Sequence, residues 1–198
     1  MDDEQVEAGW EIQEFHVTSI KESLRNGEDD IVRYYACKTI ENITAQSIAA
    51  GEKFAQKEVV ELLLTIYHQE INEAFGVVSS VALSHLSKLN PNLFPVIFES
   101  VTPTKFLGTF FEGHARTQQA FITMLNLALR MPYQKLVDTL IQEKNFLEAL
   151  MNLCMSENSS TIIKGKTVLT FILLFKLDFR WMALAHNEHK FFQVLDRI

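Results

Sequence analysis

The chain has 198 residues, 47% of them hydrophobic, with 15 Phe but only 7 Gly and 4 Pro; this suits one sizeable core or a handful of stacked helical repeats better than a many-stranded sandwich. Its formal net charge of −7 is local, because ten acidic and two basic residues fall within the first 30 positions, leaving 16 basic and 15 acidic residues over the rest. No basic excess exists to neutralise phosphates, no apolar run approaches the roughly 20 residues of a membrane-spanning helix, and MDDEQVEAG is no secretory signal, so nucleic-acid binding, membrane insertion and secretion are set aside.

Residues 1–30 read as an acidic segment and a first helix. From 31 to 198 the chain repeats itself, and a fixed period outweighs local propensity in choosing a fold. Aligned on Asn42, His85, Asn126 and Phe171, it places a small residue six positions earlier in each case: Ala36, Ser79, Ala120 and Gly165. Two positions earlier stand Ile40, Leu83, Met124 and Leu169, and one later stand Ile43, Leu86, Leu127 and Ile172. These offsets trace one face of an α-helix, small where two helices approach and large where the core is deep.

Between these four helices lie amphipathic segments at 53–68, 104–112 and 133–155, with room for two helices or one kinked helix each. Pro91, Pro95, Pro103 and Pro132 all fall in the intervals, where a missing N–H does least harm. The mostly apolar stretch Val168–Phe175, bracketed by Lys164, Lys166 and Lys176, reads as a buried helix. The expected fold is all-α: an armadillo/HEAT-type right-handed helical repeat solenoid of about four units, near 31–75, 76–116, 117–161 and 162–198, forming a single continuous domain. The segment after 178 ends on Phe191, Phe192, Val194, Leu195 and Ile198, still apolar, and reads as a cap or as the start of a further unit.

VRYYACKTIENI at 32–43, LSKLNPNLFPVIFE at 86–99 and RTQQAFITMLNLAL at 116–129 resemble the C-terminal armadillo/HEAT repeat region of the fourth Unc-51-like kinase (Runkel, Fused-related) family, over about residues 30–130. The resemblance implies a parent protein with an N-terminal kinase or pseudokinase domain and an association with microtubule structures, including cilia. No GxGxxG, HRD or DFG occurs in this chain, and the family supplies no catalytic residue for these positions, so no enzyme activity and no cofactor are expected.

In peptide-binding armadillo proteins the third helix of each unit lines a groove, and an Asn near its end bonds the main chain of an extended ligand. TIENI at 39–43, ALSHL at 82–86 and MLNLA at 124–128 resemble that helix, with Asn42, His85 and Asn126 at the Asn position and Phe171 departing from it. The alternative is that these side chains satisfy backbone groups between neighbouring helices, as buried amides usually do. Arg33, Lys38 and Arg116 lie on or just before the same helices, either to pair with an acidic ligand or to form internal pairs.

HNEH at 186–189 spaces His186 and His189 one turn apart around Glu188, but HExxH and CxxC are absent, and no metal site is assigned. Cys37 and Cys154 form no disulfide framework and read as small buried hydrophobes in a reducing, cytoplasmic setting, cytoskeletal or ciliary if the resemblance holds. The leading expectation is a protein-binding scaffold module whose partner is an extended peptide or a microtubule or ciliary protein. The second is self-assembly, as a homo-oligomer through the terminal helices. An enzyme with an unrecognised site at His186, Glu188 and His189 is the remote third.

Overall fold

The computed structural model describes residues 11–25, 27–69, 71–131, 138–139, 142–143 and 145–196. Among these the regular structure is helical, without a strand: α1 Glu14–Ser23, α2 Asp30–Gln46, α3 Ile48–Glu52, α4 Lys57–Gln69, α5 Glu73–Leu89, a 3-10 turn Pro91–Leu93, α6 Phe94–Ser100, α7 Pro103–Glu112, α8 Ala115–Ala128, α9 Phe146–Met155, α10 Thr161–Leu177, α11 Arg180–His189 and α12 Phe191–Leu195. Parts of the amphipathic segment at 133–155, and Pro132 before it, lie outside the described residues.

The helix starts are written in the sequence. Asp29, Asn72, His114 and Ser160 each stand immediately before a long helix and accept a backbone N–H of its first turn. A capping side chain satisfies one of the four N–H groups that a helix start leaves without an intrahelical partner. Pro91 opens the 3-10 turn and Pro103 opens α7, positions where proline's absent N–H costs nothing. Gly27, with φ +104°, supplies the left-handed backbone between α1 and α2.

The chain divides into two compact units, Met1–Ile97 and Phe98–Ile198. In the first, α2 packs along α5, α4 packs on α5, and the short α3 fits beside both α2 and α5. The apolar face of α4, from Val59 to Tyr67, is buried together with Ile40 and Cys37 of α2 and Leu83 and Leu86 of α5. In the second unit α8 packs along α10, α7 packs on α8 and α9, and α9 packs on α10. Phe106 centres its core, 4.8 Å from the Phe121 ring and 5.5 Å edge-on to Phe110, offset geometries that aromatic rings favour. Each unit therefore pairs two long helices side by side and backs them with shorter amphipathic ones, which is the construction of armadillo/HEAT-type repeats.

The same device links successive short helices. Asn152 of α9 donates to the Phe110 carbonyl at the end of α7, at 2.9 Å. Asn90, after α5, donates to the Ala55 carbonyl just before α4, at 3.2 Å. Each gives a carbonyl at or beside a helix end a side-chain donor.

Candidate functional site

The four caps give a common origin for the four long helices, spaced 43, 42 and 46 residues apart. Counted from them, Asn42 and His85 both stand at step 13, whereas Asn126 stands at step 12 and Phe171 at step 11. One residue turns a helix by about 100°, so the column expected from sequence does not stay on one face. The residues that share step 13 are Asn42, exposed, and His85, Leu127 and Leu173, half-buried.

The slip corrects the expected register of the last helix. Gly165 and Ile172, expected on the packed face of α10, are exposed, Ile172 by 46%. The face that is buried carries Ile163, Thr167, Thr170, Phe171 and Leu174. Phe171 is thus a core residue at the same step as Ile40 and Leu83, with its ring 4.3 Å from that of Phe191.

Asn126 is 6% exposed. Its amide nitrogen donates to the Lys166 carbonyl at 2.9 Å, and its oxygen accepts from the Thr170 hydroxyl at 2.8 Å, so it fastens α8 to α10. His85 turns toward α2, its Nδ1 lying 3.1 Å from the Thr44 hydroxyl and 3.3 Å from the Glu41 carbonyl. Both side chains satisfy polar groups of the neighbouring long helix, the alternative weighed for them from sequence. Asn42 remains at the surface.

The basic residues separate in the same way. Arg33 is 5% exposed; its guanidinium reaches Asp30 at 3.3 Å and bonds the Gln69 side chain at the end of α4, which makes it a strut inside the first unit rather than a surface cation. Lys38 is half-buried and pairs at 2.7 Å with the buried carboxylate of Glu41 one turn on. Arg116 is exposed in the first turn of α8. Sequence reasoning passed over three further exposed cations, Lys88, Arg130 and Lys176, all at step 16, at or just beyond the C-terminal ends of α5, α8 and α10. Their shared step is the signal that finds them. Cations there also favour the helix dipole.

Neither cysteine among the described residues resembles an activated nucleophile. Burial pushes the Cys37 thiol up to about 12, against the opposing charge of Arg33, and burial pushes Cys154 up to about 11. Such thiols stay protonated and inert near neutral pH. His186 is exposed on α11, and the side chain of His189 lies outside the described residues. Among the described residues no cluster of three or more His, Cys, Asp or Glu could hold a metal, and no helix is long and apolar enough to cross a membrane.

The chain is 27% identical over 197 residues to the serine/threonine-protein kinase RUNKEL of Arabidopsis thaliana, and 24% identical over 169 residues to the serine/threonine-protein kinase ULK4 of Mus musculus. The alignments cover 96% and 85% of this chain but 14% and 13% of those proteins, so the chain spans about one-seventh of the length of the curated relatives it matches. The similarity to a Runkel/ULK4-type protein therefore runs over most of the chain, past the blocks that first carry it. No family model and no solved structure matches the chain.

Proposed function

We propose that this chain is a non-catalytic protein-binding module, a run of armadillo/HEAT repeats belonging to a Runkel/ULK4-type kinase or pseudokinase, and that it binds acidic segments of a partner protein through exposed cations near the ends of its long helices. The observation that carries this reading is the exposed cation at step 16 of three long helices, Lys88 on the first unit and Arg130 and Lys176 on the second, with Asn42 also exposed on the first unit. Exposed positive charge at a repeated position suits recognition of carboxylates.

A microtubule-associated or ciliary partner, and a cytoskeletal location, follow from the family resemblance alone and form the finer part of the proposal. The test is affinity capture from extract of ciliated cells, comparing wild type with an Asn42→Ala/Lys88→Glu/Arg130→Glu/Lys176→Glu variant whose helicity is checked first. Loss of a specific protein from the variant, with weaker capture at raised salt, supports the reading. An unchanged set of captured proteins overturns the assignment of this surface.

A further inference from the structure

In only one place in the 198 residues does a hydroxyl-bearing residue precede proline: Thr102 stands before Pro103, whereas Pro91, Pro95 and Pro132 follow Asn90, Phe94 and Met131. Lys105 lies three places after the hydroxyl, so the segment reads Thr-Pro-Thr-Lys. The core of the second unit takes Val101 and Phe106, both buried, and leaves Thr102 exposed between them.

The proline also sets the backbone before it. Contact with a proline ring keeps the preceding residue out of the helical region, and Thr102 has φ −58° and ψ 147°. That is the extended form in which protein kinases receive their substrates. Exposed hydroxyls elsewhere lack it: those of Thr18, Ser19, Thr39 and Thr65 lie within helices and donate to the carbonyl four residues back. At Thr102 only the first turn of α7 has to open for the segment to be gripped, and the end turns of a helix are its least stable part.

One class of modifying enzyme matches this pattern. Proline after the acceptor removes an N–H that would otherwise be buried unpaired in a kinase's substrate cleft. A lysine three places on supplies a cation for charge-assisted bonds to an acidic site there. We propose that Thr102 is a phosphorylation site of a proline-directed serine/threonine kinase, and that its phosphate locks the start of α7. The Thr102 oxygen attacks the γ-phosphorus of Mg-ATP bound to that kinase. The new O–P bond forms as the bond to the β,γ-bridging oxygen breaks, ADP leaves, and the hydroxyl proton passes to the kinase's catalytic carboxylate.

The consequence for the fold follows from where the hydroxyl stands. Thr102 is the N-cap of α7; its hydroxyl accepts the Lys105 N–H at 3.3 Å, and its carbonyl accepts the Phe106 N–H at 2.9 Å. Pro103 has no N–H, so the donors at this helix start are those of Thr104 and Lys105. A phosphate brings them nearly two negative charges and three acceptor oxygens, at the positive end of the helix dipole. Within four residues in sequence the charged groups are Glu99 and Lys105, one of each sign. Because α7 carries Phe106 and Phe110 into the core, a firmer first turn is felt as stability of the second unit.

The test incubates the full chain with Mg-ATP and a cyclin-dependent kinase, a proline-directed enzyme, beside a free peptide of residues 96–108, and locates phosphate by mass spectrometry. The folded chain should take one phosphate, on Thr102, at a rate within about tenfold of the peptide's, as the opening of one end turn allows. Thr102→Asn keeps a cap acceptor but no hydroxyl and should abolish incorporation. Pro103→Ala restores the N–H and should slow it about tenfold or more; circular dichroism checks that both variants are folded. The phosphorylated chain should melt about 1 to 3 °C above the unmodified one. A folded chain that takes no phosphate, takes it at another residue, or takes it equally fast as Thr102→Asn or Pro103→Ala overturns the site. A phosphorylated chain that melts no higher overturns the locking of α7. Lys88, Arg130 and Lys176 have no part in this chemistry, so the result is independent of the partner proposed for them.

Discussion

The side-chain oxygen of Asn126 accepts the Thr170 hydroxyl at 2.8 Å while its nitrogen donates to the Lys166 carbonyl, 40 residues away in sequence. Removing a buried amide leaves its partners short of a bond and costs about 1 to 3 kcal/mol. Asn126→Ala should therefore lower the urea midpoint by that equivalent, whereas exposed Asn42→Ala should change stability by no more than about 0.5 kcal/mol. Equal losses in the two variants would contradict the register derived from the caps.

Gly165 offers a second reading of that register. It is exposed within α10 with open space where a Cβ would stand, so Gly165→Ala should stabilise the chain by about 0.5 to 1 kcal/mol through helix propensity. Ala120→Leu, at a buried position of α8, should destabilise by about 1 to 3 kcal/mol through overpacking. Thermal unfolding of the two variants at low concentration decides, and a destabilising Gly165→Ala would return that glycine to the packed face.

Lys38 neutralises the carboxylate of Glu41, which is 4% exposed. Lys38→Met should destabilise the chain, because a buried charge that loses its counterion is costly. Lys38→Met/Glu41→Leu should recover much of the loss. If Lys38→Met leaves unfolding unchanged while weakening partner capture, Lys38 is a ligand contact instead.

Both thiols are buried and held in the protonated form, Cys37 to about pH 12 and Cys154 to about pH 11. A thiolate-specific reagent at pH 8 should label the native chain slowly and at a rate set by unfolding, then label both cysteines at once in denaturant. Rapid native labelling of Cys37 would show that the core of the first unit opens far more readily than its packing implies.

The helical class and the small packed residues Ala36, Ser79 and Ala120 were legible because helix period and N-cap chemistry are local properties, whereas Gly165 was assigned to the wrong face. The first two repeats keep one cap-to-core distance, so Asn42 and His85 were matched correctly. The match slipped afterwards because spacing was counted between side chains rather than from caps, and the slips of one and two residues turned Asn126 and Phe171 into the core. Arg33 stayed open between an acidic ligand and an internal pair because Gln69, the side chain it bonds, lies 36 residues away. The step-16 cations were visible only once Asp29, Asn72, His114 and Ser160 gave the helices a shared origin.

The exposed step-16 cations are expected to receive a partner. A photo-crosslinking residue placed in turn at Lys88, Arg130 and Lys176, with Glu61 and Glu148 on the exposed sides of α4 and α9 as controls, is irradiated in extract of ciliated cells and the adducts are identified by mass spectrometry. Adducts with acidic segments of a partner protein at these positions, and none at the controls, are the predicted result. Adducts of equal yield at Glu61 and Glu148 would contradict it.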